Sequence, residues 1–276
     1  VLAQLPVGST PGFAATPPSG AEAGQQLYVA NRAAGVLTVV DTATHAVRGT
    51  IPIDDGPPQY VAFSPDGTRA YVSVFSEQNT GQNHAVNRVV VIDTRRGRVV
   101  ASIPVGTRPS ALAVTPDAAG SEVWVPHHDA ASISIIDTAT NTVTRTLPVA
   151  PNPHWVAFSP DGRFAYTANH ESNLITVLDV TSKTVVGEVR VGSSPHSVAV
   201  SPTEPLVATA NYDGHSVSII DTRTNTVTTT TGCSAAARSN SAHRSSWSWG
   251  ADATVTSVID GPPPTVPTAA PASDAI

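Results

Sequence analysis

The stretch SVSIIDTRTN, Ser216 to Asn225, has four earlier copies in the chain. They read VLTVVDTATH from Val36, RVVVIDTRRG from Arg88, SISIIDTATN from Ser132 and LITVLDVTSK from Leu174. The shared aspartates are Asp41, Asp93, Asp137, Asp179 and Asp221, spaced 42 to 52 residues apart. In each copy a β-branched, apolar run stops at the aspartate, the signal of a strand entering a turn. A period of that length built from short strands specifies an array in which each unit buries its faces on its neighbours. Most repeated residues are therefore expected to serve the architecture, and function is sought where the copies differ.

Reading outward from Leu174, the fourth unit shows four strand-like runs: His154 to Ser159, Phe164 to Asn169, Leu174 to Asp179 and Thr184 to Val191. Turn residues bound each run, and none is long enough for a typical helix. Four antiparallel strands in about 40–45 residues predict an all-β fold, a β-propeller of four-stranded blades. Five blades are clear, and a sixth is degenerate or incomplete. Ser-Pro-Asp-Gly at Ser64–Gly67 and at Ser159–Gly162 suits a hairpin, since Pro presets φ and Gly accepts a positive one. Unit three has Thr115-Pro116-Asp117 with a longer tip, and unit five has Ser201-Pro202-Thr203-Glu204-Pro205, without the Gly. The five third-strand aspartates are expected to accept N–H bonds from the next turn. They are not a catalytic set, because a propeller places them in different blades.

Leu27-Tyr28-Val29-Ala30-Asn31, Ser216 to Thr222, Ser102 to Gly106 and Pro153 to Gly162 resemble the YVTN-type β-propeller repeat. The resemblance covers roughly Leu5 to Thr230. It implies an exported or surface-associated propeller, commonly of seven blades. Related propellers bind haem d1, copper or quinone cofactors, or hydrolyse lactones. On this reading residues 1–230 hold blades one to five. Leu5-Pro6-Val7-Gly8 matches the outermost strand of a blade, so residues 2–8 are expected to complete a closing one. Residues 231–260 break the pattern and are either a degenerate sixth blade or a non-native tail. Residues 261–276 are Pro/Ala-rich and expected to be disordered.

The chain has 276 residues, 13% of them charged, and a net charge of −6. Arg95, Arg96 and Arg98 are the one dense basic group, and they fall in a tight turn. A nucleic-acid surface wants a basic stripe, so that partner is disfavoured. No apolar run is long enough for a membrane span. Cys233 is the single cysteine, which excludes an intrachain disulfide and a cysteine-based zinc site. No G-x-S-x-G elbow or Walker loop occurs. Gly8-Ser9-Thr10-Pro11, Gly106-Thr107-Arg108-Pro109 and Gly192-Ser193-Ser194-Pro195 read as turns at blade boundaries, not as phosphate cradles.

Aligned on the aspartate, the copies differ in two columns. The second strand ends in Asn31-Arg32, His127-His128, Asn169-His170 and Asn211-Tyr212; unit two instead carries an insertion, Phe75 to Asn87, with Glu77 and His84. After the proline that opens each innermost strand come Gly12, Gln59, Ser110, His154 and His196. Both columns are expected near the central channel at one end. His127, His128, His154, His170 and His196 then form a candidate metal set, and imidazole-rich sites suit copper, zinc or haem iron. Asp129, Glu171, Asp213 and His215 are available as outer partners or further ligands. Asn31, Arg32, Gln59, Asn169, Asn211 and Tyr212 are the candidate ligand-binding residues. The plainer reading stands beside this: asparagines satisfy backbone groups, His154 and His196 cap the channel, and no H-E-x-x-H spacing fixes a metal site. His45 and His84 read as solvated, and His243 lies in the divergent tail.

The first functional expectation is a non-catalytic scaffold binding a protein or small-molecule ligand at the channel mouth. The alternatives are a redox-type propeller holding a transition metal or haem d1 through the histidines, and a lactonase-like hydrolase drawing on Arg32, Arg69, Arg163, Glu77 and Glu171.

Overall fold

The computed structural model describes residues 4–20, 23–76, 86–117 and 120–232. Glu77, His84, Cys233 and His243, the segments 233–260 and 261–276, and hence the sixth blade, lie outside these residues. The described chain forms five four-stranded antiparallel sheets in chain order, the blades of a propeller. Blade one holds β1 (Pro11–Ala15), β2 (Gln26–Asn31), β3 (Val36–Asp41) and β4 (Ala46–Pro52). Blade two holds β5 (Pro58–Phe63), β6 (Arg69–Ser76), β7 (Val86–Asp93) and β8 (Arg98–Pro104). Blade three holds β9 (Ala113–Val114), β10 (Glu122–His127), β11 (Ser132–Asp137) and β12 (Thr142–Pro148). Blade four holds β13 (Pro153–Phe158), β14 (Phe164–Asn169), β15 (Leu174–Asp179) and β16 (Thr184–Arg190). Blade five holds β17 (Pro195–Val200), β18 (Leu206–Asn211), β19 (Ser216–Asp221) and β20 (Thr226–Gly232).

Middle strands such as β14 and β15 are buried on both faces, whereas the outer strands β4, β12, β16 and β20 are largely exposed. This is why the third strand reads as a nearly continuous apolar run. Large side chains cross from blade to blade. Tyr28 meets Phe63 edge-on with ring centres 5.1 Å apart, and Trp124 meets Phe158 at 5.5 Å. Burying each such ring stabilises the array by roughly 1.5–3 kcal/mol.

The turn chemistry is as the sequence predicts. Gly67 and Gly162 have φ of 70° and 69°, and each donates its N–H to the serine three residues earlier. Ser64 and Ser159 in turn bond Asp66 and Asp161 at 2.6 Å. Asp41, Asp93, Asp137, Asp179 and Asp221 accept backbone N–H groups from Thr44, Arg96, Thr140, Ser182 and Arg223. These backbone bonds hold the Asp41, Asp93 and Asp179 carboxyls below their ordinary range, and for Asp137 and Asp221 the Thr140 hydroxyl and the Arg223 guanidinium do most of this, with the backbone second. These aspartates are turn residues in separate blades.

Residues 4–8 form no strand; the Val7 carbonyl accepts the Thr38 hydroxyl and ties the segment to blade one. Residues 2–3 and the closing blade expected to receive an outer strand at residues 2–8 lie outside the described residues. The described residues contain no helix long and apolar enough to cross a membrane.

Candidate functional site

At one end of the propeller the start of each innermost strand pairs with the end of the second strand. The pairs are Pro11 with Asn31, Pro58 with Val74, Pro109 with His127, Pro153 with Asn169 and Pro195 with Asn211. In blades one, two, four and five the register shifts just after the proline, a bulge that re-aims the next two residues. This end is the mouth, and the turns containing Gly67 and Gly162 lie at the other end.

The last residue of the second strand is architectural. Asn31, Asn169 and Asn211 are at most 2% exposed. Each donates Nδ2 to the hydroxyl seven residues on: Thr38 at 2.9 Å, Thr176 at 2.8 Å and Ser218 at 2.9 Å. The clamp ties the second strand to the third through the amide N–H inside a dry sheet, where an unpaired donor is costly. In blade three His127 takes this place, 1% exposed. Gly106 N–H donates to its Nε2 at 3.2 Å, so Nδ1 carries the proton and reaches Ser132 Oγ at 3.1 Å. Burial lowers the His127 pKa to about 4. Both nitrogens are engaged, which sets His127 apart from His128, His170 and His196.

The next residue along is the one that faces the mouth. His128, His170 and Tyr212 hold this position in blades three, four and five, and His154 and His196 follow the prolines of blades four and five. The structure brings these rings together. His154 and His196 have ring centres 3.9 Å apart, His170 and His196 5.5 Å, His128 and His154 5.8 Å. His170 lies 6.1 Å from both His128 and His154, and Tyr212 lies 6.0 Å from His196.

Burial, then the neighbouring imidazoles, lowers the pKa values of His170 and His196. The same two causes take His154 to about 3. These three rings are therefore neutral at pH 7, with a lone pair on each.

The nitrogens are not equally available. His154 Nδ1 lies 3.0 Å from the His196 carbonyl, which only accepts, so Nδ1 bears the proton. Its Nε2 then accepts the Tyr60 hydroxyl at 3.3 Å. His128 Nδ1 lies 2.7 Å from Asp129 Oδ1, which leaves its Nε2 lone pair open. His170 Nδ1 is buried and has no partner. Ligand atoms of His128, His170 and Glu171 all lie within 4.8 Å of one another.

Below the imidazoles the axis is filled. Phe13, Tyr60 and Trp155, each two residues after a strand-opening proline, meet with ring centres 5.3 to 5.8 Å apart. Sequence reasoning passed over this trio and the Tyr60–His154 bond. The recurring aromatic two places after the proline is the signal that marks them. A ligand must therefore approach the mouth from outside.

Two arginines also stand near the mouth. The Arg32 side chain lies against Gly12, where an added Cβ would meet Nε at 2.7 Å, and that Nε is buried without a partner. Arg108 lies over the Phe75 ring at 5.7 Å and 3.6 Å from Asp129. Gln59 is buried and donates to the Pro57 carbonyl at 3.2 Å. Of the residues expected to bind a ligand, Arg32 and Tyr212 stand at the mouth. Asn31, Asn169, Asn211 and Gln59 give their amide N–H groups to the backbone and to neighbouring hydroxyls, while Oδ1 of Asn31 and of Asn211 is buried without a partner. Arg69 and Arg163, weighed for a hydrolytic site, flank the starts of β6 and β14 at the opposite end.

The fold and this mouth define a class: a β-propeller with an imidazole cluster at one end of its axis. The chain belongs to the family whose model is described as the cytochrome D1 heme domain, which matches residues 123–264, about half the sequence. The matched part includes blade three from β10 onward and all of blades four and five. No curated protein matches. Among solved structures the chain is similar to Kuenenia stuttgartiensis hydrazine synthase, with a TM-score of 0.66 at 23% identity. That similarity covers 80% of this chain and 65% of the other, so the chain spans under two thirds of that protein's length. At this identity the likeness concerns the fold alone.

Proposed function

We propose that this chain is a haem-binding propeller of the redox class, with the mouth as its coordination site. The observation that carries the reading is the imidazole cluster. Four rings from three consecutive blades stand within 6.1 Å of one or more of the others, all on the part of the chain that the family model matches. Two features of the chain fit such a group. His170 Nδ1 and Arg32 Nε are buried and unpaired. A haem asks for an imidazole at its iron and for cations at its carboxylates.

When bound, a haem supplies an iron that takes up and passes on an electron. His128, His170 and His196 each keep a ring nitrogen with which they would hold the iron. His154 spends both of its own on Tyr60 and on the His196 backbone, and so fixes the packing beneath. Burial keeps His170 and His196 unprotonated, which spares a ligand there the competition of protons. Arg32 would pair with a carboxylate of the group, and Arg108 adds positive field beside it. An exported setting, at the cell surface or in a periplasm, and the YVTN-like repeat type go with this reading.

The test is titration of purified, haem-free protein with haem d1 and with iron protoporphyrin, followed by visible absorption. One equivalent should bind with a shifted Soret band, and at least one of His128→Ala, His170→Ala and His196→Ala should change that spectrum. No saturable binding, or an unchanged spectrum when all three are replaced, would overturn the reading in favour of the scaffold that binds a protein or other ligand.

A further inference from the structure

We propose that His128, His170 and Glu171 form a site for a single divalent transition metal ion of the zinc type, which needs no macrocycle. This goes beyond the haem reading, although it shares two imidazoles with it. Three ligand atoms already lie within 4.8 Å of one another. A tetrahedral ion with bonds of about 2.0–2.2 Å sets its ligands roughly 3.3 Å apart. The remaining closure falls to Glu171, whose exposed side chain is free to turn.

The surroundings are those of a ligating set. Asp129 accepts the His128 Nδ1 proton at 2.7 Å, and so fixes the tautomer that presents Nε2. A carboxylate behind a histidine in this way orients the ring and raises its basicity toward metal. His170 offers a buried nitrogen with no partner in the protein. Asn152 joins the two loops that carry these rings. Its carbonyl accepts His170 N–H at 2.8 Å, and its amide donates to the His128 carbonyl at 3.4 Å. Asn152 adopts a φ of 60°, a left-handed conformation that asparagine tolerates better than most residues.

Two neutral imidazoles and one carboxylate leave a divalent ion with a net positive charge and an open position. Nitrogen and oxygen donors in this ratio suit zinc, cobalt(II) or iron(II), and are too few and too nitrogen-rich for calcium or magnesium. Asp213, on the neighbouring loop of blade five, accepts the Ser194 hydroxyl and is assigned no ligand role.

The experiment uses the whole chain, free of haem and metal. Zn²⁺ is titrated by calorimetry at pH 7, and Co²⁺ is followed by its d–d absorption. One equivalent of each should bind, the cobalt with the intense bands of a four- or five-coordinate ion. Glu171→Gln and His128→Ala should each lower affinity by 100-fold or more. Asp129→Asn should lower it about 10- to 100-fold, the usual effect of removing a partner behind a ligand, and Asp213→Asn less than threefold. Glu171 and Asp129 are exposed, so these variants keep the fold if a structural change at His128 does not.

Absence of saturable zinc binding, or equal binding by Glu171→Gln, overturns the inference. Equal losses in Asp213→Asn and Glu171→Gln also overturn it, since they would mean diffuse charge attraction. The zinc titration contains no haem, so a protein that takes zinc but no haem sinks only the haem reading. One that takes haem but no zinc sinks only this inference.

Discussion

Replacing His127 by asparagine tests the division between architecture and site. The other three blades with this clamp use Asn31, Asn169 and Asn211, and the hydroxyl seven residues on is present in blade three as Ser134. Gly192 N–H, facing Asn211, uses Ser218 Oγ at 3.4 Å, and Gly106 N–H can turn to Ser134 in the same way. At pH 7 the exchange trades comparable hydrogen bonds, so stability should change by no more than about 1 kcal/mol.

At lower pH the two proteins part. Burial lowers the His127 pKa from 6.5 to about 4. Below pH 6.5 the unfolded chain binds a proton there and the folded chain does not, so stability falls with pH until about pH 4. At pH 5 the unfolded-state pKa is 1.5 units away, which is worth about 2 kcal/mol. The aspartates still contribute little at that pH, and His154, His170 and His196 affect both proteins alike. Urea unfolding, followed by tryptophan fluorescence with Trp124 as the buried reporter in the same blade, should show His127→Asn about 2 kcal/mol more stable than the parent at pH 5. If the gap between the two is the same at pH 7 and pH 5, His127 is not a buried neutral clamp and the assignment fails.

Two further outcomes follow from packing. Gly106→Ala would drive its Cβ to 2.3 Å from the His127 ring, whereas Gly49→Ala meets nothing within 4 Å. The first should cost about 1–3 kcal/mol by overpacking, and the second should not destabilise; equal effects in urea unfolding would refute the close approach. Trp155→Ala opens the aromatic trio on the axis and should cost about 3–5 kcal/mol. A change below about 1 kcal/mol would mean that the three rings do not carry the centre of the array.

The five clear blades, their strand limits and their turn chemistry were legible because they depend on local rules repeated five times. The runs read in the fourth unit match β13 to β16 to within a residue or so at each end, since Gly, Pro and Asp mark both sides of every strand. The histidines were legible as a group because aligning the copies put them in two adjacent columns. Their roles within the group were not. Asn31, Asn169 and Asn211 look like loop amides in the sequence, yet they sit in dry strand ends. The asparagine and a Ser or Thr seven residues on is a spacing that reports the clamp, and His127 with Ser134 shares it. The axial trio was hidden for another reason. Its members lie 47 and 95 residues apart along the chain, and only the bulge after each proline brings position two to the axis.

The dipeptide His127-His128 shows why residue type alone could not assign the site. Along a strand, neighbours point to opposite faces. The last paired residue, His127, points between strands, where Gly106 and Ser132 consume its two nitrogens. The next residue has left the ladder, and His128 is held instead by Asp129, on a side of the ring that leaves Nε2 open. The same step separates Asn169 from His170 and Asn211 from Tyr212. In each blade one position is fixed by what the sheet needs, and the one after it is free to vary with what the mouth binds. Blades three and four put imidazoles there, blade one puts Arg32, and blade two puts Phe75. The propeller therefore builds both imidazoles and a cation, Arg32, into its mouth from a single repeated register. A change confined to that second position should alter what binds while leaving the blade intact.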